Sequence, residues 1–593
     1  MCWRNRVLDR ERGFSFPLVA KAVSLCFLFM DGLTAYPTSR WRACRTIIPM
    51  QKVLTAAEMR EVDRLTTERY GIPSIILMEN AADAVVTAIT ERFGSLRDRP
   101  ILVLCGKGNN GGDGAAIARK LGQQGALVST VLFGQIKETK GDARVNFGVL
   151  CQEDFQYDDA YFSKFGELRE ITSNEEWVRY YMEEGQDYDV YVDAIFGTGV
   201  NRPLDTWLWN VVHHINFTNE TFLGKRLTIS VDVPSGLDAD SGVPPGKNIE
   251  ANLTVTFTAP KPANVVAPAA RFGGELIVAE IGSPGELIEA QPSQLYLTER
   301  SDVMEWMNQT KFTGDSYKNK RGHALIIAGS ENYAGAAVLC GNAAIRSGVG
   351  LVTVGTPRSS KDIVGGRVVP EVMVRPLAET ELGAVSEEAI AEIDQFSKNI
   401  DAIAVGAGLS ANDESTRRFV RHIVENRKMP TLLDADALTL MAPFERFSDA
   451  EHAVILTPHE GEFMRLLGTK DKEAIKDRVG AVRKFAQENN VILVLKGERN
   501  LIGHPDGRVV VNPTGNSGLG KAGNGDTLLG ILTGFVAQAA AMKIDIFETV
   551  VAAVYVAGLA GDIAAERFGK RVMTASDSRD SLAEAFRRCE VEN

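Results

Sequence analysis

Residues 518–526 read Gly518, Leu519, Gly520, Lys521, Ala522, Gly523, Asn524, Gly525 and Asp526, and run straight into an apolar stretch over 527–535. Glycines in succession leave backbone N–H groups free to face an anion, and a helix starting there adds the positive end of its dipole. A carboxylate at that helix start can orient or deprotonate an attacking hydroxyl while the N–H groups hold a phosphoryl group in transfer. Helix capping is the plain alternative for Asp526; the chemical role is the one expected. Lys496 and Gly497 close an apolar run at 491–495 and suit phosphate or ribose contacts. His459, Glu460 and Glu462 follow Thr457 and Pro458, and Asp434 and Asp436 follow Leu433, so two more runs end in polar groups. For His459 a substrate-site role is expected over that of a loop histidine with a local hydrogen bond.

The first half carries a second set. Gly108, Asn109, Asn110, Gly111, Gly112, Asp113 and Gly114 follow an apolar run at 101–105. They offer N–H groups and a helix start suited to phosphate, without the Lys-Ser/Thr pair of a P-loop. Asp193 precedes Gly197, Thr198, Gly199, Val200, Asn201, Arg202 and Pro203, and Asp232 precedes Pro234, Ser235, Gly236 and Asp238. Hard oxygens from Asn110, Asp193 and Ser235 can hold an alkali or alkaline-earth cation beside the phosphate. One acidic strand end is explained by a turn or cap; three among glycines read as a binding site.

The elements that must position these groups repeat as apolar run, glycine-rich turn and helix, the pattern of an α/β fold with a mostly parallel sheet. Ligands in such sheets sit beyond the carboxyl ends of the strands, where both sets lie. The pattern occurs twice, with a Gly, Pro, Ser and Gln-rich stretch at 282–297 read as a linker. The expected division is an N-terminal extension over 1–49, one domain over 50–290 and another over 298–593. The acidic, Tyr-bearing run at 167–189 reads as a solvated helix and loop. Apolar runs after the extension read as strand-sized or amphipathic, so no membrane partner is expected. The length of 593 residues implies two to four domains. The formal net charge of -12 argues against nucleic acid as a main partner. Seven scattered Cys suggest a reducing compartment without a disulfide framework. His213 and His214 point different ways on a helix and are assigned no site.

These motifs resemble the bifunctional NAD(P)H-hydrate repair enzymes, over roughly residues 53–590. In that family a YjeF-type epimerase domain of Rossmann-like α/β/α fold precedes a ribokinase-like α/β dehydratase domain. The resemblance implies that the first domain interconverts R and S hydrates of NADH and NADPH. The second then phosphorylates the S form with ADP or ATP and eliminates phosphate to restore the reduced cofactor. Carried over by position, it implies hydrate binding by Asn109, Asn110, Gly111, Gly112, Asp113 and by Gly197, Thr198, Gly199, Val200, Asn201, Arg202, Pro203, with Asp232 catalytic. It implies K+ ligands in Asn110, Asp193 and Ser235. In the second domain it implies hydrate contacts from Gly408, His459, Glu460, Gly461 and Glu462, and a catalytic Asp526. Nucleotide contacts fall to Lys496, Gly497, Glu498, Arg499 and Asn500, and to Asn516, Ser517, Gly518, Leu519, Gly520, Lys521, Ala522, Gly523, Asn524 and Gly525, with Mg2+ as companion. The family usually carries Asn-Pro-Gly where this chain has Asn516, Ser517 and Gly518, and a small or hydroxyl residue at Lys521, which is open to a phosphate contact. The overall similarity looks bacterial and implies ADP rather than ATP, a cytoplasmic setting and a homo-oligomer. The rival readings are a small-alcohol or vitamin kinase with a fused nucleotide-binding domain, and a nucleotide-sensing scaffold.

Overall fold

Short apolar runs that stop at Gly, Asp, Pro or Lys become the strands of two sheets, each with its own core. The computed structural model describes residues 50–151, 155–157, 160–183, 188–221, 226–447 and 451–590; the extension expected over 1–49 lies outside them. The first sheet has nine strands. From one edge it runs Glu275–Ala279, Leu253–Phe257, Leu227–Val231, Val190–Ala194, Pro100–Cys105 and Leu127–Phe133 as parallel neighbours. All positions of Val190–Ala194, Leu227–Val231 and Leu253–Phe257 are buried, as a sheet covered on both faces requires.

The second sheet has eleven strands. Ala402–Val405, Thr431–Leu433, Val454–Leu456 and Ile492–Leu495 lie side by side and parallel at its centre. A hairpin, Leu501–Gly503 with Val509–Val511, turns the pairing antiparallel at one side. Beyond it come Leu295–Leu297 and, last, Gln51–Lys52. The stretch read as a linker is therefore partly ordered structure. It holds a helix, Gly285–Glu289, and an edge strand, Leu295–Leu297, of the second sheet. Gln51–Lys52, ahead of the first sheet in sequence, also belongs to the second. Strands of two or three residues leave too little pattern to be recognised alone.

Two further readings are corrected. The run at 167–189 is not a solvated helix and loop: Gly166–Ile171 pairs parallel with Leu127–Phe133, and the helix Asn174–Glu183 buries Trp177, Tyr180 and Tyr181. The acidic residues occupy its other face, as an amphipathic helix allows. The helices Asn524–Met542 and Ile546–Phe568 are long and apolar enough to cross a membrane by length and composition, but 67% of each apolar stretch lies inside the fold. They pack on each other and on the second sheet as core. The Thr55/Glu58 capping box is present, with Thr55 Oγ1 accepting from Glu58 N and Glu58 Oε2 from Thr55 N at 2.8 Å.

Candidate active sites

In the first lobe the carboxyl ends of four adjacent strands open on one cavity of about 610 Å³. Asn109, Asn110 and Asp113 reach it from the start of the helix Asn109–Gln123, Gly197 to Pro203 from the loop after Val190–Ala194, and Asp232 from the end of Leu227–Val231. Gly111 and Gly112 do not line it. A Cβ on Gly111 would fall 1.7 Å from the Gly106 carbonyl oxygen, and one on Gly112 2.8 Å from Ala143 Cα. Their part is to let the helix start close on the strand end and on the next helix.

Asp193 and Ser235 lie behind this wall. The Asp193 carboxylate accepts from Ser230 Oγ at 2.8 Å, Ser235 N at 2.8 Å and Ser235 Oγ at 2.5 Å. Burial raises its pKa, against these hydrogen bonds. Ser235 Oγ also lies 3.1 Å from the Phe196 carbonyl, and the Asn110 amide stands against Gly197, the next residue. Four oxygen-bearing groups thus meet at one spot, and Asn110 Nδ2 is buried there without a partner.

Asp232 has φ +67°, in the left-handed region that non-glycine residues seldom occupy. Its carbonyl accepts from Asn264 Nδ2 at 3.1 Å. Its Oδ1 accepts from Lys261 Nζ at 2.5 Å and from Thr256 Oγ1 at 2.9 Å. Lys261 is 2% exposed and also donates to the Phe257 carbonyl at 3.1 Å. Asp113 is held well above the usual carboxylate range, by burial first and then by Asp232 and Asp63. Sequence reasoning missed Lys261, Thr256 and Asp63. Lys261 was within reach of the strand-end rule, since it follows Leu253–Phe257 by four positions in an Ala-Pro-Lys-Pro turn.

In the second lobe four parallel strand ends deliver Gly406 and Gly408, Asp434 and Asp436, the Thr457 to Glu462 turn, and Lys496. Lys496 Nζ donates to Asp434 Oδ1 at 2.6 Å and lies 3.9 Å from Glu462 Oε2. Burial works against the Lys496 charge, but Asp434 and Glu462 outweigh it and its pKa is raised. The glycine loop meets this pair. A Cβ on Gly525 would stand 3.7 Å from Lys496 Nζ and 3.8 Å from Asp434 Oδ2. Asp526 sits in the first turn of Asn524–Met542, after an N-cap Gly523 with φ +89°. Its pKa is pushed up to about 6 by burial first and by Asp434, against Lys496. The N-cap is Gly523, which has no side chain to cap with, and no capping box joins it to Asp526.

His459 is the N-cap of Glu460–Leu466. Its Nδ1 accepts from Gly461 N at 3.0 Å and Glu462 N at 3.3 Å, while Glu462 Oε2 accepts from His459 N at 2.8 Å. One ring nitrogen is thus spent on the helix, and Nε2 lies 3.4 Å from Glu462 Oε1. Lys521 does not reach out for a phosphate: its Nζ donates to the Arg571 and Met573 carbonyls at 2.5 and 2.9 Å. It fastens the loop to the segment after Ile546–Phe568. The turn without proline is set by Asn516, whose Oδ1 accepts from Gly518 N at 2.9 Å and whose Nδ2 donates to Gly561 O at 3.0 Å. Glu498 faces the first lobe, accepting from Arg271 Nε at 2.8 Å. Gly497 N donates to Asn500 Oδ1 at 2.9 Å, closing the turn that carries Glu498 and Arg499.

Comparison with known proteins finds one family match in each half of the chain. A family model described as NAD(P)H-hydrate dehydratase matches residues 324–583, and one described as YjeF-related protein N-terminus matches residues 74–263. The chain is 38% identical over 542 residues to the bifunctional NAD(P)H-hydrate repair enzyme Nnr of Moorella thermoacetica, covering 91% of this chain and 97% of that protein. Over 537 residues it is 36% identical to the enzyme of the same name from Thermofilum pendens, covering 90% and 96%. A solved ADP/ATP-dependent NAD(P)H-hydrate dehydratase from Bacillus subtilis, co-crystallized with ATP/Mg2+, is 31% identical with a TM-score of 0.42, covering 49% of this chain and 98% of that one.

Proposed function

The chain belongs to the family of bifunctional NAD(P)H-hydrate repair enzymes, and from this premise we propose how its two sites divide the work. The enzyme epimerises the hydrates of NADH and NADPH and dehydrates them at the expense of ADP or ATP. We assign epimerisation to the cavity of Asn109, Asp113, Gly197 to Pro203 and Asp232. Dehydration goes to the second lobe, with Asp526 as the base, the hydrate along Gly408 and His459 to Glu462, and the nucleotide along Lys496 to Asn500 and Asn516 to Gly525.

The observation that carries the second assignment is Asp526 at the mouth of an apolar helix, beside the Lys496–Asp434 pair. A hydroxyl is a poor leaving group and a phosphate a good one. Asp526 takes the proton of the hydrate's hydroxyl as the oxygen attacks the terminal phosphoryl group. The N–H groups of the 522–525 turn face the charge that develops, and Lys496 stands next to them. Phosphate then leaves with the C–O electron pair, the nitrogen lone pair forms a C=N bond, and loss of a proton from the neighbouring ring carbon to solvent returns that pair to nitrogen and re-forms the ring double bond. Asp434 is the carboxylate that would meet a Mg2+ arriving with the nucleotide, since magnesium is usually held by one or two carboxylates together with phosphate oxygens. ADP is the donor expected here.

In the first lobe the meeting of Asn110, Asp193, Ser235 and the Phe196 carbonyl is an all-oxygen donor set, which suits K+. When bound there it supplies a fixed positive charge for phosphate or ribose oxygens. The chain's own contribution is the Asp232–Lys261 pair facing the ring.

Full protein given mixed R and S hydrates with ADP, Mg2+ and K+ is expected to restore the near-ultraviolet absorbance of the reduced nicotinamide completely, releasing inorganic phosphate. Recovery that stops at the S fraction would remove the epimerase assignment. A stable phosphorylated product would instead favour the small-alcohol kinase.

A second result concerns pH. Asp526 must be ionised to act as the base, so dehydration is expected to fall about tenfold per pH unit below about 6 and to level off above it. The check is kcat for the S hydrate at saturating ADP. A profile flat through that region would remove Asp526 as the base.

A further inference from the structure

Asp63 has no part in the assignments above. It lies on the helix Ala56–Tyr70 and lines the same cavity as Asp113, Asp232 and Lys261. Its Oδ1 is buried without a hydrogen-bond partner, although the neighbouring Asp232 is held by both Lys261 and Thr256. Burying a carboxylate oxygen without a partner is costly, so a side chain kept this way holds a proton or meets a ligand. Burial, opposed by Lys261 and aided by Asp232, pushes its pKa up to about 6.

The chemistry of the substrate calls for such a group. A reduced nicotinamide ring is an enamine, and water adds to its protonated form at the carbon beside the ring nitrogen. The two hydrates differ at that carbon. Resting on the epimerase reading of this cavity, we propose that Asp63 is a catalytic acid–base residue of the epimerisation, protonating the hydroxyl that departs from that carbon. The C–O bond breaks with its electron pair going to oxygen, and the hydroxyl leaves as water. The nitrogen lone pair forms the planar C=N bond. Water then adds to the opposite face, the C=N pair returns to nitrogen, and the proton shed by the incoming water goes back to the Asp63 carboxylate. Atoms, charge and oxidation state are unchanged overall.

The ionisable groups that share the cavity with Asp63 are Arg60 on its own helix, Asp113 and Asp142 near the starts of the helices Asn109–Gln123 and Gly141–Leu150, Arg202 and Asp205 in the loop after Val190–Ala194, and Asp232 and Lys261 at the strand ends. The test follows conversion of R to S hydrate by chromatography, without nucleotide, in the full-length protein. Asp63→Asn is expected to lower kcat about 100-fold or more, with KM within about threefold. It should also lose the fall in kcat with rising pH expected of wild type through about 6, while Asp63→Glu should retain that limb. ADP-dependent dehydration of S hydrate should be unchanged in the Asn variant, showing an intact fold. Product formed in oxygen-labelled water should carry the label. An Asn variant with kcat within about twofold of wild type, or a product that keeps its original oxygen, overturns the proposal. Wild-type protein that fails to interconvert the hydrates sinks the epimerase assignment instead, so the two failures are distinct.

Discussion

Asp526→Asn is expected to cut kcat for ADP-dependent dehydration by about 10³-fold, within the range of a lost general base, and to leave epimerisation intact. Asparagine keeps the shape and one oxygen of the side chain but cannot accept the hydroxyl proton. The same change should stabilise the second lobe. Asp526 is largely buried and its pKa stands at about 6, so at neutral pH the fold carries a carboxylate that it disfavours. For a carboxylate with a raised folded pKa, stability is fullest below the unfolded value and is lost as pH rises through the folded one. The penalty is therefore complete above about 6. Relieving it is worth of order 2–3 kcal/mol at most. Thermal unfolding of the variant at neutral pH, beside its S-hydrate kinetics, checks both. A lower midpoint would mean that Asp526 is a structural group, and retained activity would move the base elsewhere.

The glycine-rich turn that runs into a carboxylate at a helix start reads as chemistry from its spacing, with helix capping as the plain alternative. The strands that support it were readable because each is an apolar run cut off by Gly, Asp or Lys. Pairs such as Leu104 and Asp193, side by side in neighbouring strands, explain how motifs some ninety residues apart reach one edge. What escaped has physical causes too. Leu295–Leu297 and Gln51–Lys52 are strands only because a partner edge is present, and nothing local marks them. Trp177, Tyr180 and Tyr181 were outweighed by their acidic neighbours, although their spacing makes one face of a helix. Lys521 was assigned from its place in the loop, while its side chain was claimed by carbonyls some fifty positions later. His459 kept its place at the site but gave Nδ1 to the helix it begins. Asp63 and Lys261 approach the first cavity from elements outside its glycine motifs, and only tertiary packing brings them to Asp232.

Lys261→Met is expected to remove epimerisation and to destabilise the first lobe by about 3–5 kcal/mol, the cost of breaking a buried ion pair by deleting one partner. The ammonium is 2% exposed and makes three bonds, to Asp232, Thr256 and the Phe257 carbonyl. Without it Asp232 stays in its unfavourable backbone conformation with only Thr256 on its carboxylate. Asp63 and Asp113 lose the one cation that opposes their raised pKa values. Three carboxyl groups would then share a cavity wall with no ammonium beside them, and the protons they take up should shift the lobe's stability optimum to lower pH. The double variant Asp232→Asn with Lys261→Met separates the two roles. It removes the charge imbalance, so most of the lost stability should return while epimerisation stays absent. Denaturant unfolding of the first lobe at neutral pH, with R-to-S conversion measured on the same samples, makes the comparison. If the single variant unfolds like wild type, Lys261 is not holding Asp232 in place. If the double variant recovers activity along with stability, the pair supports the fold and the chemistry belongs to the remaining carboxyl groups.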